Sequence, residues 1–299
     1  MRDICTHQNH QEAYHYGAST LSQCNDCALI YISKAEYDPK TLYKDFYRNE
    51  LGRFNFGIEY LIRAFRLFRA FKIFTLYPQA KSVLDIGCGR GFTLYYLKKF
   101  FQFSIAVGTQ ISESALAICR RLGLKVYEGD LLELSIDEHG FDVISILHVL
   151  EHVTRPEKYI EKIHDLLSDR GKLVIEVPNF DSWTRPLTGK FWLGLDLKYH
   201  LSFFTPKSLC RMLTKHGFKI KIVRTFSLEY STFISAQSIT SLITRSDQFF
   251  FQQIQNVKQK PLIFFHAFLI FLLAPICFLI NGLLYFSKKG EVLLIVAEK

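Results

Sequence analysis

Nine residues constrain this chain more than any others: Val83-Leu84-Asp85-Ile86-Gly87-Cys88-Gly89-Arg90-Gly91. Val83, Leu84 and Ile86 are strand formers, and the three alternate glycines allow a sharp turn and close approach of backbone to a ligand. Helix formers follow at once from Phe92 to Lys99. A strand running into a glycine turn and a helix opens a β-α-β unit, which calls for a parallel sheet with its ligand at the carboxyl edge. The spacing excludes the dinucleotide fingerprint Gly-x-Gly-x-x-Gly. Here the third glycine comes one residue early, Phe92 stands where that motif has glycine, and Asp85 lies two residues before the first glycine.

The alternation continues downstream. Strands are predicted at residues 82–86, 103–107, 125–127, 141–147, 172–177 and 218–224, with a last one at 291–297. Helices are predicted at about 41–77, after a Ser112 N-cap, from Pro156 to about 167, and from Thr205-Pro206 to Gly217. This is an α/β pattern: a Rossmann-like sheet with helices on both faces. At 299 residues the chain holds one large domain with additions, or two modest ones. Its net charge of +9 favours anionic surroundings, but no compact Lys/Arg block gives a nucleic-acid signal. Seven cysteines without a disulfide framework, and no signal-peptide pattern, suit a cytoplasmic protein.

Asp-x-Gly-x-Gly-x-Gly resembles motif I of the class I methyltransferases that use S-adenosylmethionine (SAM). Leu150-Glu151-His152-Val153, Pro156, Gly171-Lys172-Leu173 and Pro178-Asn179 extend that resemblance to the subgroup containing the ubiquinone-pathway O-methyltransferases. So do Tyr199-His200-Leu201-Ser202-Phe203-Phe204-Thr205-Pro206 and Gly217-Phe218. The resemblance implies a sheet whose final strand is antiparallel, and SAM held by Asp85, Gly87, Cys88, Gly89 and Gly91. It implies further contacts from Asp130 and Leu131 near adenine and from His148. Gln110 stands where the family places the acid that grips both ribose hydroxyls, so the charge that strengthens that contact is missing.

His148-Val149-Leu150-Glu151-His152 also spells the inverted zinc-protease pattern, which requires a helix rather than a strand's end. Three readings stay open for this segment. His148, His152 and His200 are candidate catalytic residues, one of them a general base for a hydroxyl nucleophile. Alternatively, the segment resembles the metal-binding Glu-x-x-Glu-His…His of some 2′-O-methyltransferases, with His148 in place of the first Glu, His200 as the distal ligand, and zinc or another transition metal suited better than magnesium. In the third reading, Glu151 and His152 merely brace the loop. The aromatic stretch 179–204, with Trp183, Phe191, Trp192, Tyr199 and His200, is either the substrate wall or a core lid.

Residues 1–50 form an N-terminal Cys/His segment. Cys24-x-x-Cys27 has the spacing of a zinc knuckle, and Cys5, followed by His7 and His10, supplies an altered partner; the metal set is Cys5, His10, Cys24 and Cys27. The alternative is free thiols. Residues 51–225 form the methyltransferase domain with its leading helix, 226–290 an apolar helical insertion, and 291–299 the final strand. From Leu262 to Ser287 there is no Asp, Glu, Lys or Arg, with lysines flanking both ends. The expected reading is a hairpin lying in the inner face of a membrane, aided by Arg63, Arg66, Arg69 and Lys72. Burial in a core or homodimer interface, and a true span, are the alternatives. The expected activity is O-methylation of a hydrophobic, lipid-linked or glycan-type substrate. C- or N-methylation of a sugar or small metabolite is the second option, and a silent binding module the third.

Overall fold

The computed structural model describes residues 7–34, 56–246, 248–254 and 261–299. Five parallel strands build the heart of the molecule: β4 (Ser82–Ile86), β5 (Ile105–Gln110), β6 (Lys125–Glu128), β7 (Phe141–Leu147) and β8 (Leu167–Pro178). Two late strands, β10 (Lys219–Arg224) and β11 (Val292–Glu298), complete a seven-stranded sheet of order β10-β11-β8-β7-β4-β5-β6. β11 pairs antiparallel with both neighbours, as the sequence implied.

Strand composition follows from burial on both faces, which favours continuous apolar runs over alternation. Leu84, Ile86, Ile144, Ile146, Leu293 and Ile295 pack in one core layer, and Val83, Val143, Val174, Leu294 and Val296 in the opposite one. The second layer is covered by α1 (Phe56–Leu76) and α2 (Phe92–Phe100), through Ala70, Ile73, Leu94 and Leu97. α3 (Glu113–Arg121) starts at Ser112, whose side chain accepts from the Ala115 N–H. α4 (Pro156–Leu166) buries Ile160 and Ile163 against the first layer.

The sheet reverses its winding between β4 and β7, so their carboxyl ends frame the crevice where such sheets bind ligands. Predicted strands 82–86 and 141–147 match their observed bounds. β8 begins five residues earlier than expected, at Leu167, because 168–171 bulge against the Phe141–Val143 stretch instead of forming a free turn.

The N-terminal segment is more ordered than a knuckle alone. β1 (His10–Tyr16), β2 (Ser19–Cys24) and β3 (Ile30–Lys34) form an antiparallel meander, and β9 (Ser202–Phe203) adds a fourth strand from the aromatic loop. Leu21 and Ile30 share a third core with Phe180, Trp192, Leu195 and Val292, which docks the small sheet onto the domain. The short α5 (Thr184–Thr188) lies within that loop, and α6 (Pro206–Lys215) follows it behind a Thr205–Ser208 capping box.

Between β10 and β11 come α7 (Ser231–Thr244), α8 (Phe249–Ile254) and α9 (Leu262–Leu283). The apolar stretch is one continuous helix through Pro275, not a hairpin that turns there. Asn281 Nδ2 donates to Ser235 Oγ (2.8 Å), and Ser246 Oγ meets His266 Nε2 at 3.4 Å. α7 and α9 therefore run antiparallel, and the excursion returns beside its start, since Arg224 pairs with Leu294.

Candidate active site

The glycine turn divides its labour. Gly87, Gly89 and Gly91 all have positive φ (67°, 57° and 75°), the left-handed region that side chains disfavour. A Cβ on Gly87 would strike the Val149 side chain, and one on Gly91 would strike Leu124 and Cys119. A Cβ on Gly89 would meet nothing within 4 Å. The outer glycines make room for protein, while the middle one faces open ground at the carboxyl edge. β5 holds the turn from beside it: the Thr109 carbonyl accepts from the Cys88 N–H (3.0 Å) and its Oγ1 from the Gly87 N–H (3.2 Å). From α1, Glu59 Oε2 pairs with Arg90 Nη1 at 2.8 Å.

Asp85 ends β4, 5% exposed, and its Oδ1 accepts from Ser145 Oγ at 2.7 Å. Burial pushes its carboxyl pKa up, opposed by the Ser145 hydrogen bond and by Arg69 and Arg66. A buried acid with one oxygen engaged, beside a cradle that a Cβ would fill, fits the ammonium and carboxylate of SAM.

Gln110 is buried at the end of β5, and its Oε1 accepts from the Ile111 (2.8 Å) and Ser112 (3.0 Å) N–H groups. Only its NH2 is left to meet a ribose hydroxyl, which rules out the bidentate acceptor that an acid would provide. Asp130 is tied at both oxygens, to the Leu132 N–H (2.8 Å) and the Tyr159 hydroxyl (2.7 Å), and the Leu131 N–H also turns toward that hydroxyl. This loop is ordered by Tyr159 before any ligand arrives.

His148 corrects one expectation. Its φ is 56°, its Nε2 lies 3.0 Å from Glu176 Oε1, and its Nδ1 lies 3.5 Å from Glu151 Oε1. Although burial opposes it, pairing with Glu151 and Glu176 raises the imidazole pKa to about 10, while His148 draws Glu176 down to about 2. A ring held protonated is no general base at neutral pH. Arg69 extends the network to Glu176 (3.7 Å) and Glu229 (2.8 Å), which also binds Arg66 (2.6 Å). Arg63 pairs with Glu59, and Arg66 and Arg69 pair with Glu229, so three of the four cations expected to meet lipid are engaged by carboxylates of the protein itself.

Glu151 and His152 sit in a 3-10 turn just past His148, and His200 reaches the same point from the aromatic loop. The Leu201 N–H donates to the Glu151 carbonyl at 2.7 Å and fastens the two segments together. His152 Nδ1 lies 3.0 Å from the Tyr199 carbonyl, and His200 Nδ1 lies 3.0 Å from the Gly194 carbonyl. A carbonyl only accepts, so in both rings Nδ1 is the donor. Burial and the neighbouring His200 push the His152 pKa down to about 3. One ligand atom from each of Glu151, His152 and His200 lies within 4.8 Å of the others.

The aromatic stretch is largely core. Phe191 and Trp192 are buried, and Trp192 Nε1 donates to the buried Glu291 Oε2 at 2.9 Å. Only Trp183 and Tyr199 of the expected wall are half-buried.

At the N-terminal sheet, Cys24, Cys27 and His7 offer donor atoms within 4.8 Å of one another. His7, not His10, joins the cysteines; His10 Nδ1 instead bonds the His7 carbonyl at 2.9 Å. Cys5 lies outside the described residues. Glu157 of α4 holds His7 Nε2 at 3.0 Å, the outer partner that a metal-ligating imidazole wants.

Sequence reasoning missed Glu59, Thr109, Ser145, Glu176 and Glu291. Ser145 and Glu176 had a signal, a lone polar residue inside an otherwise apolar strand. Glu59 and Thr109 had none.

A reversed β4/β7 crevice, a buried acid at the end of β4 and an open glycine cradle together define a class I, SAM-binding fold. A family model described as a methyltransferase domain matches residues 58–221, more than half of the chain, and the chain belongs to that family. It is a SAM-dependent methyltransferase. An uncharacterized protein of Methanocaldococcus jannaschii, MJ1123, is 29% identical over 148 residues, which cover 49% of this chain and 69% of that protein. A ubiquinone biosynthesis O-methyltransferase of Coxiella burnetii is 31% identical over 107 residues, 34% of this chain and 45% of that protein. The chain thus spans less than half the length of that second relative. A SAM-dependent methyltransferase from Archaeoglobus fulgidus shares the fold, with a TM-score of 0.52 and 20% identity over 88% of this chain and 100% of that one.

Proposed function

We propose that the chain methylates an oxygen of a hydrophobic, lipid-linked or glycan-type acceptor while resting on the cytoplasmic face of a membrane. The observation that carries this reading is the outer face of α9. Phe264 and Phe271 are each 76% exposed, Leu279 65% and Leu283 78%, and Phe286 just beyond is 87% exposed. α9 is the one helix among the described residues long and apolar enough to cross a membrane by length and composition. An apolar surface of this extent calls for a partner. Because β10 and β11 pair at the base of the excursion, a single crossing would pull these neighbouring strands away from each other. Contact with one leaflet is the reading that keeps the sheet whole.

When bound, SAM supplies an electrophilic methyl group. Asp85 receives its ammonium, the Gly89 turn its carboxylate end, and the Glu151–His152–His200 cluster holds the acceptor hydroxyl at the same edge. Oxygen as acceptor is supported by the O-methylation in the name of the Coxiella relative. The Cys24–Cys27–His7 cluster suits zinc, which would pin the small sheet to α4 through Glu157.

Two assays test the reading. Protein mixed with anionic liposomes should float with them, and replacing Phe264, Phe271, Leu279 and Phe286 by Ser should abolish flotation while SAM binding persists. Flotation unchanged by the substitutions removes the membrane role from α9; dimerisation lost instead assigns that face to a homodimer. Trideuteromethyl-SAM incubated with the protein and a membrane extract should label a lipid-soluble product through oxygen. Label confined to water-soluble amines or carbons overturns the substrate class.

A further inference from the structure

We propose that the groove between α1 and residues 227–229 binds the acceptor through an anionic group, a carboxylate or a phosphate, with Lys72 receiving the charge and apolar walls the chain that carries it. The proposal rests on the methyltransferase reading for the acceptor's role, but not for the site.

Lys72 carries the argument. Of the four cations on α1, Arg63, Arg66 and Arg69 are held by Glu59 and Glu229. The Lys72 ammonium has no ion pair and no hydrogen bond among the described residues, and lies 5.9 Å from the centroid of the Phe68 ring. The carboxylates lining the groove are already engaged, Glu176 by His148 at 3.0 Å and Glu229 by Arg66 and Arg69. Burial pushes the Lys72 pKa below the usual lysine value; Arg69 and Arg224 add to the push, while Glu176 and Glu229 oppose it. A half-buried ammonium in that state has lost part of its hydration without a replacement, and an anion beside it restores the balance.

The rest of the groove is apolar. Ile73, Leu147, Val174 and Leu294 line it, and Phe68 and Leu228 form its rim, 41% and 44% exposed. An apolar pocket with one placed charge selects an amphiphile rather than a bare anion.

The groove also joins the two places such a ligand must reach. At its inner end Leu147 directly precedes His148, and Glu176 pairs with that imidazole at the carboxyl edge. At its outer end Leu228 follows Phe226 by two residues, and Phe226 packs edge-on against Phe278 of α9 with centroids 5.8 Å apart. A chain leaving the exposed face of α9 thereby finds a path toward the cofactor crevice.

Calorimetry of the full-length, SAM-loaded protein tests the site with octyl phosphate, octanoate, 1-octanol and inorganic phosphate as probes. The tighter of the first two identifies the anionic group and should bind at one site per chain, with octanol and inorganic phosphate at least about tenfold weaker. Lys72→Met should weaken that anionic probe by a similar factor and leave octanol unchanged, and Lys72→Arg should keep the binding. SAM affinity and flotation with phosphatidylglycerol liposomes should be unchanged in Lys72→Met, which shows that the variant folds and that the lysine serves the groove rather than the bilayer. The proposal is overturned if neither anionic probe binds, if Lys72→Met binds them as wild type does, if inorganic phosphate binds as tightly, or if Lys72→Met no longer floats. The anionic probe, but not octanol, should also suppress labelling of the membrane extract by trideuteromethyl-SAM; binding without suppression removes the acceptor from the groove. Extract that is never labelled, with Lys72-dependent binding intact, would overturn the methyltransferase reading and leave the anion site standing.

Discussion

Alanine at Gly87 and at Gly89 should separate stability from cofactor binding. Both positions have positive φ, so either substitution costs about 1–2 kcal/mol of left-handed strain. At Gly87 the new methyl also drives into Val149, and overpacking adds about 1–3 kcal/mol, for a total near 2–5 kcal/mol. At Gly89 the methyl enters open ground, so the strain is the whole stability cost. That ground is where the cofactor's carboxylate end approaches the backbone, and the methyl should weaken SAM binding by about 10–100-fold, or roughly 1.4–2.8 kcal/mol. Urea denaturation of the apo proteins measures the first effect and calorimetric titration with SAM the second. Gly87→Ala should be the less stable of the two, and Gly89→Ala a folded protein with crippled binding. A Gly89→Ala protein that binds SAM at wild-type affinity would refute the assignment of the open ground.

Asp85 makes binding depend on pH. Its raised pKa means the folded apo protein takes up a proton where the unfolded chain is still ionised, so ionised Asp85 lowers stability as pH rises through that value. The SAM ammonium needs the ionised form, so affinity should fall with falling pH, starting above the ordinary carboxylate range. Ser145→Ala removes the hydrogen bond that holds this pKa down, and calorimetry across pH 5–8 (roughly the carboxylate-to-neutral range) should show the loss starting at higher pH. Trp192→Phe deletes a buried donor to Glu291, and should cost about 1–3 kcal/mol in urea denaturation with SAM affinity unchanged. Cys24→Ser should release one zinc per chain by elemental analysis and loosen the N-terminal sheet to proteolysis, while wild-type protein purified without zinc would contradict that site.

The parallel sheet was legible because its inner strands are buried on both faces and so read as apolar runs between helix signals. Asp85 and the glycines were legible because their spacing has a backbone cause. His148 was misjudged because its partners, Glu151 and Glu176, lie on two different segments, and only pairing decides whether an imidazole is a base or a cation. Gln110 showed the missing charge but not the bonds from Ile111 and Ser112 that turn its oxygen away. His7 displaced His10 because both lie at plausible spacing, and only the fold shows His10 bonded to the His7 carbonyl while His7 meets the cysteines. The hairpin expectation for residues 262–287 gave Pro275 too much weight. A 22-residue helix can run through one proline, which removes a single backbone donor from its ladder. Trp192 stayed open between substrate wall and core lid because aromatic loops look alike whether they face a ligand or a core, and its burial places it in the core.

Calorimetric titration of the purified full-length protein with SAM, repeated with an Asp85→Ala variant, tests the central claim most directly. Saturable binding at one site per chain, lost or weakened at least about tenfold in the variant, is the predicted result. Absence of binding heat at several temperatures, or equal affinity in both proteins, would contradict it.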